Sequence, residues 1–301
     1  MKRIFLLASL LITLGAQAQK ASKKSRSAAT TGQTDRRITF QPGQKLEMVS
    51  EVNGSIAQEM GGQSMDMKMT GKVIRSYDVE SVTDTAARLE HKVKRVQFSF
   101  EGMGQAQSFD SENEADLKSD LGKSVEKGLK NKYSVQVDGL GTVRSVQSDD
   151  DNPNTAGAPG ADPMGNMLSQ FAGAMELPKP GDRTPFQVLP ARGALVKGFT
   201  WTDSLKREEQ GLATYTVADI TDNEILIDFT EDGRTEKTQE ASGVEIKVSM
   251  KTRSTGRITL DRKSGLLKEK TSTSEGNGFV EAMGQNIPMQ TKFTAVTRVN
   301  R

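Results

Sequence analysis

Residues able to do covalent chemistry are scarce in this chain. It has one histidine, His91, and no cysteine. A Ser-His-Asp or Cys-His centre needs a nucleophile held beside an imidazole base. His91 instead sits in Leu89-Glu90-His91-Lys92-Val93, an ordinary strand alternation. Ser124-Val125-Glu126-Lys127 fits Ser-x-x-Lys, where the lysine could serve as base, but the Ser-Asp-Asn and Lys-Thr-Gly companions are missing. That stretch reads as the surface of a helix. One imidazole and no thiolate cannot build an ordinary zinc or iron site. Asp150-x-Asn152-x-Asn154 opens like a calcium loop, yet Thr155 stands where the turn glycine belongs and Ala161 where the closing glutamate belongs. No catalytic residue, metal or cofactor is therefore expected, and the chain reads as a non-enzyme. Carboxylates are numerous enough to keep a carboxylate-based hydrolase, of the sugar-cleaving kind, as an alternative.

Binding chemistry has better material. Met65, Met67 and Met69 alternate along one strand face, with Met60 just before them. Thioethers can hold Cu(I), can fill irregular core gaps, or can repack around apolar ligands of different shape. Plain core packing is the favoured reading, and an apolar binding face built from Met65, Met67, Met69 and the single tryptophan, Trp201, is the speculative one. Trp201 lies in Gly198-Phe199-Thr200-Trp201-Thr202-Asp203, where it anchors the start of the second half of the chain.

The first residues set the compartment. Lys2 and Arg3, an apolar run Ile4–Leu14 and Ala16-Gln17-Ala18 form a basic, apolar and small-x-small series, the pattern of a signal peptide over 1–18. The run is much shorter than the ~20 residues a membrane-spanning helix needs. With no cysteine to carry a lipid, the product is expected in the periplasm or secreted, and not as a lipoprotein, with no integral membrane segment after cleavage. The net charge of +2 comes from Lys2 and Arg3, so the remainder is formally neutral. No basic field is available for nucleic acid. Residues 19–37, with Lys20, Lys23, Lys24, Arg26, Arg36 and Arg37 among small polar residues, read as a disordered basic leader.

These residues must be positioned by strands. From Ile38 onward apolar side chains recur with period two, as in Tyr133-x-Val135-x-Val137, Ile225-x-Ile227-x-Phe229 and Val244-x-Ile246-x-Val248-x-Met250. Asn53-Gly54, Gly61-Gly62, Asp222-Asn223 and Asp232-Gly233 read as hairpin turns. Met60-Gly-Gly-Gln, Met103-Gly-Gln and Met283-Gly-Gln read as equivalent turns. A helix is expected over Ser111–Lys130, from Leu117, Leu121, Val125 and Leu129. A second is expected from Asp162 through Met175, after the linker-like Asp149–Gly160.

The pattern also repeats. Tyr77-x-Val79-x-x-Val82-Thr83-Asp84 matches Tyr215-x-Val217-x-x-Ile220-Thr221-Asp222, and Val135-x-Val137-Asp138 matches Ile258-x-Leu260-Asp261. The spacing between matches is longer in the first half by about the length of the first expected helix. The expected fold is thus all-β to α+β, a duplicated antiparallel meander with two helices, built either as one curved sheet or as two lobes. Its parts are a first β half over 38–148, a linker with a short helix over 149–184, and a second β half over 185–301.

The signal segment ending Ala-Gln-Ala-Gln, the Gly-x-x-Trp-x-Asp start at Gly198–Asp203, the Tyr-x-Val-x-x-Ile strand and the Leu260-Asp261…Gly265-Leu266 turn carry a resemblance. Over roughly residues 40 to 300 the chain resembles an exported β-rich family of unknown function common in Bacteroidota. That resemblance implies an envelope protein and transfers no catalytic residues. At the level of fold alone, a duplicated sheet with helices on one face is similar to the half-barrels of periplasmic lipoprotein and lipid carriers. The leading expectation is a non-catalytic binding protein with a lipid or an envelope protein as partner. The alternative is a structural or assembly role through strand edges.

Overall fold

The computed structural model describes residues 37–60, 63–102, 104–119, 122–123, 126, 129–130, 132–148, 177–190, 195–205, 209–241, 244–282 and 284–301. Among the described residues twelve strands form one antiparallel sheet: β1 (Lys45–Met60), β2 (Gln63–Val82), β3 (Ala86–Gly102), β4 (Gln105–Asp110), β5 (Lys132–Asp138), β6 (Val143–Ser148), β7 (Thr200–Leu205), β8 (Glu209–Ile220), β9 (Glu224–Ala241), β10 (Val244–Asp261), β11 (Leu267–Ala282) and β12 (Gln285–Asn300). The spatial order is β6-β5-β3-β2-β1-β12-β11-β10-β9-β8-β7, with β4 beside the far half of β3. The two halves of the chain are therefore one continuous sheet, joined where β1 pairs with β12.

The period-two pattern does what it predicts. Along β1, Leu46, Met48, Val52 and Ile56 turn inward and are buried. The outward residues between them carry ion pairs across strands: Lys72 to Glu51 at 2.9 Å, Arg298 to Glu51 at 3.6 Å and Arg298 to Glu269 at 2.8 Å. A charged outer face is the opposite of the apolar band that a lipid-facing barrel presents. Among the described residues no helix is long and apolar enough to cross a membrane.

The inner face packs in two separate clusters, one at each end of the long strands. The first joins Leu46, Tyr77, Leu89, Tyr133 and Val137 of the first half to Trp201, Tyr215, Ile227 and Leu260 of the second. Phe186 and Leu189, which precede β7, belong to it and are almost wholly buried. Phe186 meets Tyr77 edge-on, with ring centroids 4.8 Å apart. The second cluster holds Val52, Met67, Met69, Val96, Phe98, Phe100, Met250, Met289 and Phe293, with Leu117 and Leu129 against it.

Three expectations need correction. Asn53-Gly54 is not a turn: β1 runs through it. A Cβ on Gly54 would lie 1.8 Å from the Phe293 ring, so the glycine is there to let that ring lie flat on the facing strand. Asp232-Gly233 likewise lies inside β9, where Gly233 faces Gly211 of β8. The expected unbroken helix over Ser111–Lys130 is interrupted. Helix α1 spans Glu114–Lys118, and Ser119 is extended with ψ of 166°. Its hydroxyl donates to the Asp116 carbonyl at 2.5 Å and accepts from the Gly122 amide at 3.0 Å, ending one turn and capping the next. The second expected helix, the Asp149–Gly160 linker and residues 1–36 lie outside the described residues.

Other turns are where the sequence puts them. Met60 at the end of β1 pairs with Gln63 at the start of β2. Gly104 and Gly284, with φ of 74° and 73°, turn β3 into β4 and β11 into β12.

The repeat has a matching hydrogen-bond frame. Thr83 N–H donates to the Ala86 carbonyl at 2.8 Å while the Thr83 hydroxyl accepts from Ala86 N–H at 3.1 Å. Thr221 makes the same pair with Glu224, at 2.9 and 3.0 Å. Gly43 N–H and Val79 N–H bond to Val79 and Gln44 carbonyls, as Gly198 and Val217 N–H do to Val217 and Phe199 carbonyls. Register shifts fall at Val79/Ser81 and at Val217/Asp219, and again at Gln136/Val137 and at Thr259/Leu260. The extra length of the first half is β4 with the helical stretch, which enter between β3 and β5 where β9 and β10 are adjacent strands.

Candidate functional site

The inner face can be followed strand by strand through the register. One row runs Phe98, Gly71, Val52, Ala295, Ser272, Gly256, Phe229, Tyr215, Trp201. The next runs Phe100, Met69, Gly54, Phe293, Ser274, Ser254, Glu231, Ala213, Asp203. Around the central seam, from β1 across β12 and β11 to β10, many of the inward middle positions are small. Ser50, Thr252, Ser254, Ser272, Ser274, Ala295 and Thr297 are only partly buried, although the ends of the same strands are packed. Ser254 bonds Ser274 at 3.0 Å, and Ser50 lies 3.1 Å from Thr297, each hydroxyl to hydroxyl across one strand gap. Large side chains lie flat here instead of standing: Phe293 over Gly54, Phe229 over Gly256, and Met67 over Gly102. The lining is therefore thin at mid-sheet, and water reaches it.

The four residues singled out by sequence do not form one surface. Met67 and Met69 are buried in the second cluster, while Met65, nearer the strand end, is partly buried. Trp201 belongs to the first cluster, stacked between Phe199 at 5.7 Å and Tyr215 at 5.1 Å. Its indole N–H has no partner. Ser124, Lys127 and the calcium-like loop lie outside the described residues, and no metal-holding cluster occurs among the described ones.

Charged residues on the inner face escaped the sequence reading. Arg75 follows Val73 and precedes Tyr77 in the inward phase of β2, and it is 7% exposed. Its cross-strand neighbours are Met48 and Val93. Two strands carry the other exceptions. Asp203 on β7 lies 3.9 Å from Arg183, and burial raises its carboxyl while Arg183 lowers it. Glu231 on β9 meets Lys270 at 3.7 Å, and the Lys270 ammonium sits 4.5 Å from the centre of the Phe229 ring. The available signal was a charge in the apolar phase, in Val73-x-Arg75-x-Tyr77 and in Trp201-x-Asp203-x-Leu205.

Beside Arg75 stands an aromatic column. His91 lies between Tyr77, at 4.8 Å, and Tyr133, stacked at 4.3 Å. It is 1% exposed, and neither ring nitrogen has a hydrogen-bond partner. Burial, with the Arg75 charge nearby, pushes its pKa down to about 3, so the imidazole is neutral. Burial likewise raises Tyr77 and Tyr133.

An open antiparallel sheet with a charged outer face and an apolar inner one defines the class. The chain belongs to the Family of unknown function (DUF6263), whose model matches residues 84–267. No curated protein matches it. Among solved structures it is similar to lipovitellin, from a study of lipid–protein interactions, at 14% identity and a TM-score of 0.45. That match covers 87% of this chain and 26% of the lipovitellin chain, so this chain spans about a quarter of it. It is also similar to an outer membrane channel from Pseudomonas putida F1, at 7% identity and a TM-score of 0.25, over 91% of this chain and 100% of that one.

Proposed function

We propose that this is an exported, non-catalytic binding protein that holds an apolar, lipid-like ligand against the inner face of its sheet. The observation that carries the reading is the mid-sheet stretch of small, partly exposed residues, Ser50, Thr252, Ser254, Ser272 and Ser274, set between two packed apolar ends. A face selected only for packing would be filled there with large aliphatic side chains. A thin lining beside Met67, Met69, Phe98 and Phe100 leaves room for hydrocarbon and supplies apolar walls for it. The signal-like residues 1–18 support export to the periplasm or beyond.

Absence of catalysis is part of the proposal. The inner carboxylates Asp203 and Glu231 each have a cation, Arg183 and Lys270. The single imidazole faces tyrosine rings, with no serine or carboxylate bonded to it. For the alternative of assembly through strand edges, the start of β6 is already occupied. Its first residue, Val143, already exchanges hydrogen bonds with Gly181 and Asp182, at 2.8 and 2.7 Å.

The test is native mass spectrometry on the chain purified gently from its expression host, followed by titration of stripped protein with a fluorescent apolar probe. A reproducible added mass that extracts as lipid, with saturable probe uptake, is the expected result. A bare mass together with no probe uptake would sink the reading.

A further inference from the structure

Arg75 is a feature of the inner face that neither packing nor the apolar reading explains. The residue is more than nine-tenths buried and its Nε has no hydrogen-bond partner; among the described residues its one side-chain bond is to the neutral Tyr77 hydroxyl, and no carboxylate pairs with it. Guanidinium keeps its charge at any pH a protein tolerates, so it cannot escape burial by losing a proton. An unpaired buried charge is strongly unfavourable, and proteins keep such groups paired or ligated. Two inward carboxylates follow that rule, since Asp203 faces Arg183 and Glu231 faces Lys270.

The surroundings narrow what could complete it. Met48 and Val93 flank it across the strands, and Val73 and Tyr77 flank it along β2. On the Tyr77 side are His91 and Tyr133, with Phe186 over Tyr77. A freely hydrated anion would exchange its water for thioether, aliphatic and aromatic surface. An oxyanion attached to hydrocarbon would bring its own apolar body to those walls.

We infer that Arg75 is the head-group site of the inner face, and that the ligand is an acidic amphiphile whose carboxylate or phosphate pairs with the guanidinium. This rests on the apolar-ligand reading and names its chemistry. The head group takes the forked N–H donors in a charge-assisted pair. The chain of the amphiphile then runs over Met67, Met69, Phe98 and Phe100, away from the aromatic column. At the position matching Arg75 in the second half stands Ala213, beside Asp203, so this position carries a cation in the first half alone.

The test titrates the full chain with dodecanoate, with dodecanol, which has the same carbon chain and no charge, and with acetate. His91 is the only histidine, so its ring resonances report at one place. Dodecanoate should bind at least about tenfold more tightly than dodecanol and shift the His91 signals. Arg75→Gln should abolish that preference and leave dodecanol binding intact. Equal affinity for dodecanoate and dodecanol in the native chain overturns the head-group site while the apolar face stands. Binding of neither overturns the apolar face as well. Acetate binding as tightly as dodecanoate overturns the amphiphile in favour of a free-anion site. Arg75→Met guards against a folding artefact: without ligand it should melt at or above the native temperature, because it removes an unpaired buried charge. A strongly lowered melting temperature means that the guanidinium is satisfied within the protein, and the head-group site is then wrong.

Discussion

The two halves of the sheet share a frame and differ in their lining. Tyr77 and Tyr215 occupy the same place in it, each followed by the same bulge and the same threonine turn. Across the next strand the first half has His91 and the second has Phe229. One strand further come Tyr133 and Gly256. The second half thus closes a hydrocarbon stack, Trp201-Tyr215-Phe229, and places its charges in pairs. The first half buries an imidazole with no hydrogen-bond partner and a guanidinium that has the Tyr77 hydroxyl beside it but no carboxylate. Backbone hydrogen bonds preserved over changed side chains teach that the fold does not need these polar groups. They cost stability, and a use elsewhere has to offset the cost.

That contrast can be broken by exchanging the residues. Phe229→His puts two unpaired ring nitrogens and a smaller ring into the second half, and should cost about 3 kcal/mol in urea unfolding at pH 7. A loss below about 1 kcal/mol would mean that this half tolerates polar burial as readily as the first.

A smaller effect comes from pH. The folded His91 pKa, about 3, lies below its ordinary value of 6.5. The unfolded chain therefore takes up this proton first as pH falls. Stability from neutral His91 is complete above about pH 6.5 and is lost toward pH 3, by about 1.4 kcal/mol per unit. Between pH 7 and 5 the native chain should lose about 2 kcal/mol more than His91→Phe. Parallel curves for the two would place the imidazole in contact with water.

The finest comparison uses the turns. Thr83→Ala and Thr221→Ala each remove a side-chain bond to a backbone amide and should cost the same, about 0.5–1 kcal/mol. Unequal thermal shifts would show that the matching geometry hides unequal energetics.

Strand positions, most turns and the repeat were legible because period-two alternation and turn glycines are local signals. Asn53-Gly54 misled because a glycine that admits Phe293 from a strand far away in sequence looks the same as one that makes a turn. The break in the helix at Ser119 rests on a hydroxyl serving two turns at once, which leucine spacing does not record. Of the candidate site, the inward phase of Met67 and Met69 was readable from their alternation, but their separation from Trp201 was not. Those residues share the inward phase and belong to different clusters. Arg75 was readable only as a charge out of phase.

The seam between β1 and β12 has a kinetic consequence. Most neighbouring strands are joined by short hairpins, whereas this central pair sets Glu47 against Asn300 and Gln58 against Met289. Loop closure on that scale is slow compared with hairpin formation. The residues of β12, which follow all the other strands in sequence, are the ones that bring the halves together. Until they do, two long strand flanks in the middle of the sheet have no neighbour, and the waiting chain presents them to any other chain in the same state.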